Sequence, residues 1–130
     1  MRASGLSERV ELLGYVPEAE IDRLLSGATC LLYLSRYEGF GLPVLEAMTR
    51  GVPILAADRT SIPEVAGKAA LLVDPDDPAA IDAALAALVA DSALRMRLSA
   101  EGRARAAAFD WSRTAQSTIA VFERASARGA

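Results

Sequence analysis

The sequence contains no histidine and a single cysteine, Cys30. A metal site built from imidazole or thiolate ligands is therefore excluded, and so is a Ser-His-Asp catalytic triad. One cysteine also cannot form an internal disulfide. Cys30 lies in an apolar segment, which favours a buried structural thiol over a reactive one.

Long apolar runs and clusters of positive charge are missing as well. The longest apolar stretches, residues 28–34 and 83–90, are well short of the roughly 20 residues that a membrane-spanning helix needs. The formal net charge is −3, and basic residues are scattered, so we expect no nucleic-acid partner. Residues 1–5 are not followed by an apolar signal core, which argues against export and for a cytoplasmic location.

What the sequence does contain is the composition and pattern of one α/β domain. It has 130 residues, of which 52% are hydrophobic and 24% charged, as in a globular protein. Strand-like and helical segments alternate, which predicts a Rossmann-like open parallel sheet with flanking helices. We predict strands at residues 10–14, 28–34, 52–57 and 70–73, and helices at residues 18–26, 42–50, 61–65, 79–90, 92–108 and 112–128.

Several packing predictions follow from the apolar pattern. The uncharged strand at residues 28–34 should be buried on both faces, as is usual in parallel sheets. The helix at 79–90 should bury one face, and the last helix should be anchored by three large apolar residues. A group of four arginines should form a solvent-exposed helix face, and the alternative is a docking surface for the absent domain or for an anionic membrane. The buried face of the helix at 79–90 should consist of Ile81, Leu85, Leu88 and Val89. The residues that should anchor the last helix are Trp111, Ile119 and Phe122. The four arginines are Arg95, Arg97, Arg103 and Arg105.

The segment from Glu38 to Glu46 carries the strongest functional signal. Gly39 and Gly41 lack a Cβ, so a ligand can approach the backbone amides of this loop closely. Pro43 favours the first turn of a helix, and the free N–H groups of a helix N-terminus attract anions. The two carboxylates flank the loop and can accept hydrogen bonds from sugar hydroxyls. Together these residue types indicate a site for a nucleotide sugar.

With these residues and their neighbours, the chain resembles the retaining, nucleotide-sugar-dependent glycosyltransferases of family 4, also called group 1. The similar segments cover most of the chain: Leu13–Pro17, Ser35–Pro43, Glu46–Met48, Gly51–Pro53, Pro63–Val65 and Leu71–Pro75. The resemblance implies a GT-B fold, of which residues 1–130 would be a single partial domain, the distal part of the C-terminal donor-binding domain.

The resemblance also implies roles for individual residues. Glu46 would hold the ribose hydroxyls of the donor. Glu38 would lie beside the transferred sugar as the catalytic residue and help to stabilise positive charge at the anomeric carbon. The backbone amides of Gly39, Phe40, Gly41 and Leu42 would contact sugar hydroxyls and phosphates, and the main chain of Tyr15 and Val16 would border the base.

The chain departs from the family pattern at its start. The family's acceptor-binding amino-terminal domain has no counterpart here, nor do the two βα units that carry an Arg and a Lys for the leaving diphosphate. Loss of such a clamp typically costs ~10²–10³-fold or more in rate. We therefore expect the isolated chain to be inactive. The absent units would also leave an edge of the parallel sheet exposed, which predicts low stability or self-association.

Two classes of function remain open at this point. One is the donor half of an enzyme that transfers a hexosyl group from a nucleotide diphosphate sugar to a saccharide or lipid acceptor bound by the missing domain. The other is a catalytically inactive nucleotide-sugar-binding module or remnant. Peripheral association of the parent enzyme with the inner face of a membrane is left open. The Asp-x-Asp sequence Asp74-Pro75-Asp76 belongs to a turn cluster rather than to a metal-binding motif, so we expect no metal and no cofactor.

The side chain of Phe40 also has two readings. It can plug the core beneath the loop or offer a stacking surface to a ligand, and its position favours the plug.

Overall fold

The structure is a computed structural model, and it describes residues 8–128. Helices and strands alternate from residue 18 to residue 90, and two further helices follow, as the sequence predicts. The elements are α1 (Glu18–Gly27), β1 (Leu31–Tyr33), α2 (Leu42–Arg50), β2 (Ile54–Ala57), α3 (Ile62–Ala66), β3 (Leu71–Val73), α4 (Pro78–Ala90), α5 (Ser92–Ala106) and α6 (Trp111–Arg128). Residues 1–5, on which the argument against export rests, lie outside the described residues.

The three strands form one parallel sheet in the order β1-β2-β3. Leu31 pairs with Ile54, and Leu55 pairs with Leu71, so both interfaces of the sheet include β2. Every residue of β2 is buried. The predicted open parallel sheet with flanking helices is therefore confirmed.

The core lies on both faces of the sheet because successive side chains of a strand point to opposite sides. Ile54 belongs to a cluster that includes Met48 of α2 and Ile62 of α3. Leu55, the next residue, belongs to a second cluster with Leu88 of α4 and Leu98 of α5. Helices thus cover both faces of the central strand.

The predicted strand at residues 10–14 is wrong, because this segment is irregular and exposed. Leu12 is 80% exposed. A strand is stable only when its backbone groups pair with a neighbour, and the sheet formed within residues 8–128 places no strand beside this segment. The prediction that the strand at 28–34 is buried on both faces is also wrong. Its regular part is β1, an edge strand, and Leu32 is 45% exposed.

The last helix is not anchored in the predicted way. Trp111 is 84% exposed and Phe122 is 68% exposed, and Ile119 is exposed too. Every residue from 111 to 127 is exposed, because no other described element covers either face of α6.

Four residues of α4 were predicted to form its buried face. The prediction is wrong for Val89 alone, since this side chain is 63% exposed.

Arginines of α5 connect the helices. Arg95 donates to the carbonyl oxygens of Leu88 and Val89 at the end of α4, at 2.7 and 2.8 Å. Arg105 donates from Nε to the carbonyl oxygen of Val65 in α3, at 3.1 Å. Both arginines are half-buried, so the predicted exposed face is wrong for these two. It is confirmed for Arg97 and Arg103, which are exposed.

Within residues 8–128, no helix combines the length and the apolar character that crossing a bilayer requires.

Candidate functional site

Three loops meet at the carboxyl edge of the sheet, where ligands bind in open α/β sheets. They are the β1 loop (residues 34–41), the β2 loop (58–61) and the β3 loop (74–77). Each loop is bonded to the other two. Glu38 joins the first to the second, Arg59 joins the second to the third through Asp74, and Arg36 joins the first to the third through Asp76.

Glu38 is held from two sides. Its backbone N–H donates to the Oγ1 of Thr60 at 3.1 Å, and its carbonyl oxygen accepts from the Oγ of Ser61 at 3.1 Å. Its carboxylate accepts a hydrogen bond from the hydroxyl of Tyr33, with 2.5 Å between Oε1 and Oη. The residue is half-buried. Both its backbone and its side chain are therefore fixed.

These contacts favour the ionised form of Glu38. The hydroxyl of Tyr33 lowers the pKa of Glu38, and Ser35 makes a smaller contribution in the same direction. Because the single proton of the Ser35 hydroxyl is donated to the carbonyl oxygen of Tyr37 at 3.2 Å, we assign the main effect to Tyr33. Glu38 is thus a carboxylate whose charge is kept at neutral pH.

Gly41 shapes the junction between the β1 loop and α2. Its φ of 97° lies in the left-handed region, which favours glycine. A Cβ at this position would lie 2.5 Å from the Cδ1 of Ile62. Gly41 is buried, and its carbonyl oxygen accepts the N–H groups of Val44 and Leu45, the first bonds of α2. Any other residue here would strain the backbone and displace the end of the Ile62 side chain, so glycine is favoured at this junction.

The end of the β1 loop and the start of α2 leave backbone donors free. Within residues 8–128, no hydrogen bond engages the backbone N–H groups of Gly39, Phe40, Gly41 or Leu42. A Cβ placed on Gly39 would meet no atom within 4 Å. These free amides precede or begin a helix with Pro43 in its first turn, and such groups suit an anion or a hydroxyl oxygen.

Glu46 lies on the exposed side of α2, one helical turn beyond Pro43. In the part of the chain that the structure describes, its carboxylate makes no ion pair. Tyr15 and Val16 precede α1, and no hydrogen bond among the described residues joins them to the β1 loop. Tyr15 is 93% exposed and Val16 is half-buried. The contiguous loop residues are therefore brought together, whereas these two lie in a separate segment.

Phe40 combines the two readings that the sequence left open. Its ring packs edge-on against Phe109, with 5.8 Å between the ring centroids. The side chain is nevertheless 40% exposed. The residue packs on Phe109, just beyond the end of α5, and also keeps part of its ring at the surface.

Residues 1–105 match a protein family described as "Glycosyl transferases group 1". The chain belongs to this family. The match includes the whole segment from Glu38 to Glu46 and all three loops at the carboxyl edge of the sheet. The family predicted from the sequence is therefore confirmed.

Curated relatives of this family member match nearly all of its length. O-antigen chain mannosyltransferase B from Escherichia coli is 41% identical over 114 residues, which cover 88% of this chain and 30% of the relative. MMP alpha-(1->4)-mannosyltransferase from Mycolicibacterium hassiacum is 38% identical over 128 residues, 95% of this chain and 31% of the relative. The chain thus spans about three tenths of the length of these relatives.

A solved structure supports the fold. Sucrose-phosphate synthase from Thermosynechococcus elongatus, a GT-B glycosyltransferase, superposes with a TM-score of 0.79 and 29% sequence identity. The superposition covers 95% of this chain and 32% of that chain. The group 1 family member described here therefore has the architecture of part of a GT-B enzyme.

Two residues of the site could not be found from the sequence. Tyr33 reads as a strand residue of the core, because nothing in its pattern shows that its hydroxyl reaches the loop. Thr60 has a φ of 50°, in a region that β-branched residues rarely adopt. It belongs to a polar turn, and its bond to Glu38 spans 22 positions, so only the folded chain shows the contact.

Within residues 8–128, no group of three or more Asp, Glu or Cys side chains is arranged to hold a metal ion. The structure also has a groove of about 620 Å³ between α6 and the end of α5. None of the predicted donor-site residues lines this groove, which includes Glu64, Phe109, Arg113 and Val121. The candidate site is therefore the loop cluster at the sheet edge.

Proposed function

We propose that this chain supplies the donor site of a retaining glycosyltransferase that transfers a hexosyl group from a nucleotide diphosphate sugar. The observation that carries the proposal is the pairing of a fixed, ionised Glu38 with the free backbone N–H groups that follow it. The amides suit phosphate and hydroxyl oxygens, and the carboxylate suits hydroxyl donors. One short segment thus presents both kinds of group that a nucleotide sugar requires.

In the proposed complex, Glu46 accepts hydrogen bonds from the ribose hydroxyls. Its carboxylate is exposed and makes no ion pair with the described residues, which leaves it accessible to a ligand. Glu38 contacts the transferred sugar. Its negative charge stabilises the positive charge that develops at the anomeric carbon when the diphosphate departs, so it lowers the energy of the transition state.

The identity of the sugar is suggested by relatives. The names of two of them include mannosyl transfer, so a mannosyl donor is the first ligand to test. The acceptor, a saccharide or a lipid, would bind to another part of the enzyme. We propose that the reaction takes place in the cytoplasm and needs neither a metal nor a cofactor.

Nuclear magnetic resonance is suited to test donor binding, because it detects weak complexes. The protein is titrated with GDP-mannose, UDP-glucose and ADP-glucose, and shifts of the backbone amides are followed. We expect at least one donor to shift the amides of residues 39–42. Glu46→Ala should weaken this donor, whereas Glu123→Ala, which removes an exposed carboxylate from α6, should not.

The proposal would be refuted if none of the three donors shifted these amides. The alternative of an inactive module or remnant without a donor site would then stand. Equal weakening by Glu46→Ala and Glu123→Ala would refute the role of Glu46 alone, since it would show a general effect of charge.

A further inference from the structure

Tyr33 is the last residue of β1, and its side chain extends to the β1 loop. Its ring packs against the core cluster that contains Ile54 and Met48, so the core fixes the position of the ring. Its hydroxyl donates to the Oε1 of Glu38. A phenylalanine would fill the same apolar space, so packing alone does not require the hydroxyl.

The backbone of Glu38 is held independently by the β2 loop. The Oγ1 of Thr60 accepts from its N–H, and the Oγ of Ser61 donates to its carbonyl oxygen. These two bonds fix where the side chain starts, but not where the carboxylate points. Ser35 also lies near the carboxylate, but its hydroxyl proton is donated to the carbonyl oxygen of Tyr37, so the direction depends mainly on the hydrogen bond from Tyr33. Within residues 8–128, the second carboxylate oxygen, Oε2, has no hydrogen-bond partner.

We propose that Tyr33 is a positioning residue, whose hydroxyl orients the Glu38 carboxylate through Oε1 and leaves Oε2 for a hydroxyl of the donor sugar. This inference rests on the proposed function. It extends the site by a residue that does not itself touch the donor and acts through Glu38.

The chemistry of the Tyr33 hydroxyl supports this role. Burial raises the pKa of Tyr33 to about 12, and the hydrogen bond to Glu38 adds to the effect. The phenol therefore remains a donor at neutral pH. It is also uncharged, unlike the guanidinium of Arg36 that pairs with Asp76 in the same loop cluster. A neutral donor fixes the carboxylate without cancelling the negative charge that the reaction would use.

The test compares two tyrosines that lie four residues apart. Tyr33→Phe removes the hydroxyl that binds Glu38, and Tyr37→Phe removes a hydroxyl from a side chain that is 81% exposed. The first measurement is an NMR titration of the Glu38 side-chain carboxyl carbon. We expect its pKa to rise toward the ordinary value for glutamate in Tyr33→Phe and to stay at the wild-type value in Tyr37→Phe.

The second measurement is binding of the nucleotide sugar that the wild type prefers among GDP-mannose, UDP-glucose and ADP-glucose. Tyr33→Phe should weaken binding by about three- to tenfold, the usual effect of one lost hydrogen bond. The acidic limb of the binding profile should move to higher pH together with the pKa of Glu38. Ser117→Ala, which removes a hydroxyl from an exposed residue of α6 outside the candidate site, should leave both the affinity and the profile unchanged.

A double-mutant cycle separates positioning from packing. If Tyr33 acts through Glu38, the double variant Tyr33→Phe/Glu38→Gln should bind the donor no more weakly than Glu38→Gln alone. Additive effects would overturn the inference. An unchanged pKa of Glu38 in Tyr33→Phe would also overturn it. So would an unchanged donor affinity of Tyr33→Phe when the wild type binds the donor.

Failure of the proposed function looks different. If the wild type binds none of the three donors, the proposed function is wrong, and the role inferred for Tyr33 is wrong with it. If the wild type binds and only the Tyr33→Phe results disagree, the inference is overturned and the proposed function stands.

Discussion

The guanidinium of Arg103 occupies the space that a side chain on Gly51 would need. A Cβ on Gly51 would lie 2.2 Å from the Cζ of Arg103. Gly51 ends α2 with a φ of 69°, and Arg103 donates to the carbonyl oxygen of Arg50 at 3.1 Å. An arginine of α5 thus binds a carbonyl group at the end of α2, the helix that carries Glu46.

Gly51→Ala should therefore destabilise the protein. A left-handed conformation costs an L-residue roughly 1–2 kcal/mol, and displacing Arg103 removes a hydrogen bond worth about 0.5–1.5 kcal/mol. Gly27→Ala is the matched control, because Gly27 ends α1 without a positive φ and with no atom near a Cβ. Urea unfolding measures both. Equal stabilities for the two variants would contradict the prediction.

The two glycines of the β1 loop should respond differently to the same substitution. Gly41→Ala should lower stability, because it combines a φ of 97° with a contact of 2.5 Å to Ile62. Gly39→Ala should leave stability within about 0.5 kcal/mol and weaken donor binding, because the added methyl group would stand beside free amides. Thermal melts and NMR titrations with the donor check the two effects separately. Unchanged donor affinity in a folded Gly39→Ala variant would exclude a close approach of the ligand there.

Much of the architecture could be predicted from local patterns. Glycine or proline lies at or beside both ends of α2, and buried apolar runs mark β2 and β3, so these elements were predicted to within two residues. The strand at residues 10–14 has an equally good pattern but no neighbour to pair with in the described sheet. Pairing is a property of the whole fold, and a single segment does not reveal it.

The candidate site divides in the same way. The run from Glu38 to Leu42 is contiguous, so its residues lie together in any fold. The contacts of Glu38 with Thr60 and Ser61 join loops that are more than 20 positions apart. Such contacts depend on the alignment of parallel strands, which places their carboxyl ends at one edge. The roles assigned to Glu46, Tyr15 and Val16 stay predictions.

Stability should depend on pH through Asp74. The backbone N–H of Asp76 lowers the pKa of Asp74, and the guanidinium of Arg59 lowers it further. A carboxyl group with a depressed pKa stabilises the folded state above its unfolded pKa of about 3.9, and this contribution is lost as the pH falls through the folded pKa. Asp74→Asn should therefore lower the melting temperature at neutral pH. The effect should be small, because solvent screens the charge of an exposed group. The difference should vanish in acid. A difference that is constant from neutral to acidic pH would rule out this cause.

The exposed edge of the sheet should promote self-association. Among the described strands, β1 pairs only with β2, and its middle residue Leu32 is 45% exposed. A lysine on an edge strand opposes pairing with another chain. Leu32→Lys should therefore shift the protein toward monomer in sedimentation experiments, whereas Val89→Lys, on the exposed side of α4, should not. A wild type that stays monomeric at high concentration would refute the prediction.

Substitutions on α6 should hardly affect the stability of the rest of the fold. Trp111 and Phe122 are exposed along this helix, so Trp111→Ala and Phe122→Ala remove no buried contact and should change the free energy of unfolding by less than about 0.5 kcal/mol. Leu98→Ala is the contrast, because Leu98 is 1% exposed in the cluster with Leu55 and Leu88. Loss of a buried leucine side chain typically costs about 2–5 kcal/mol. Urea unfolding of the three variants distinguishes an uncovered helix from an anchored one. A cost near that of Leu98→Ala for Trp111→Ala would mean that the indole is buried in solution, as the sequence pattern first suggested.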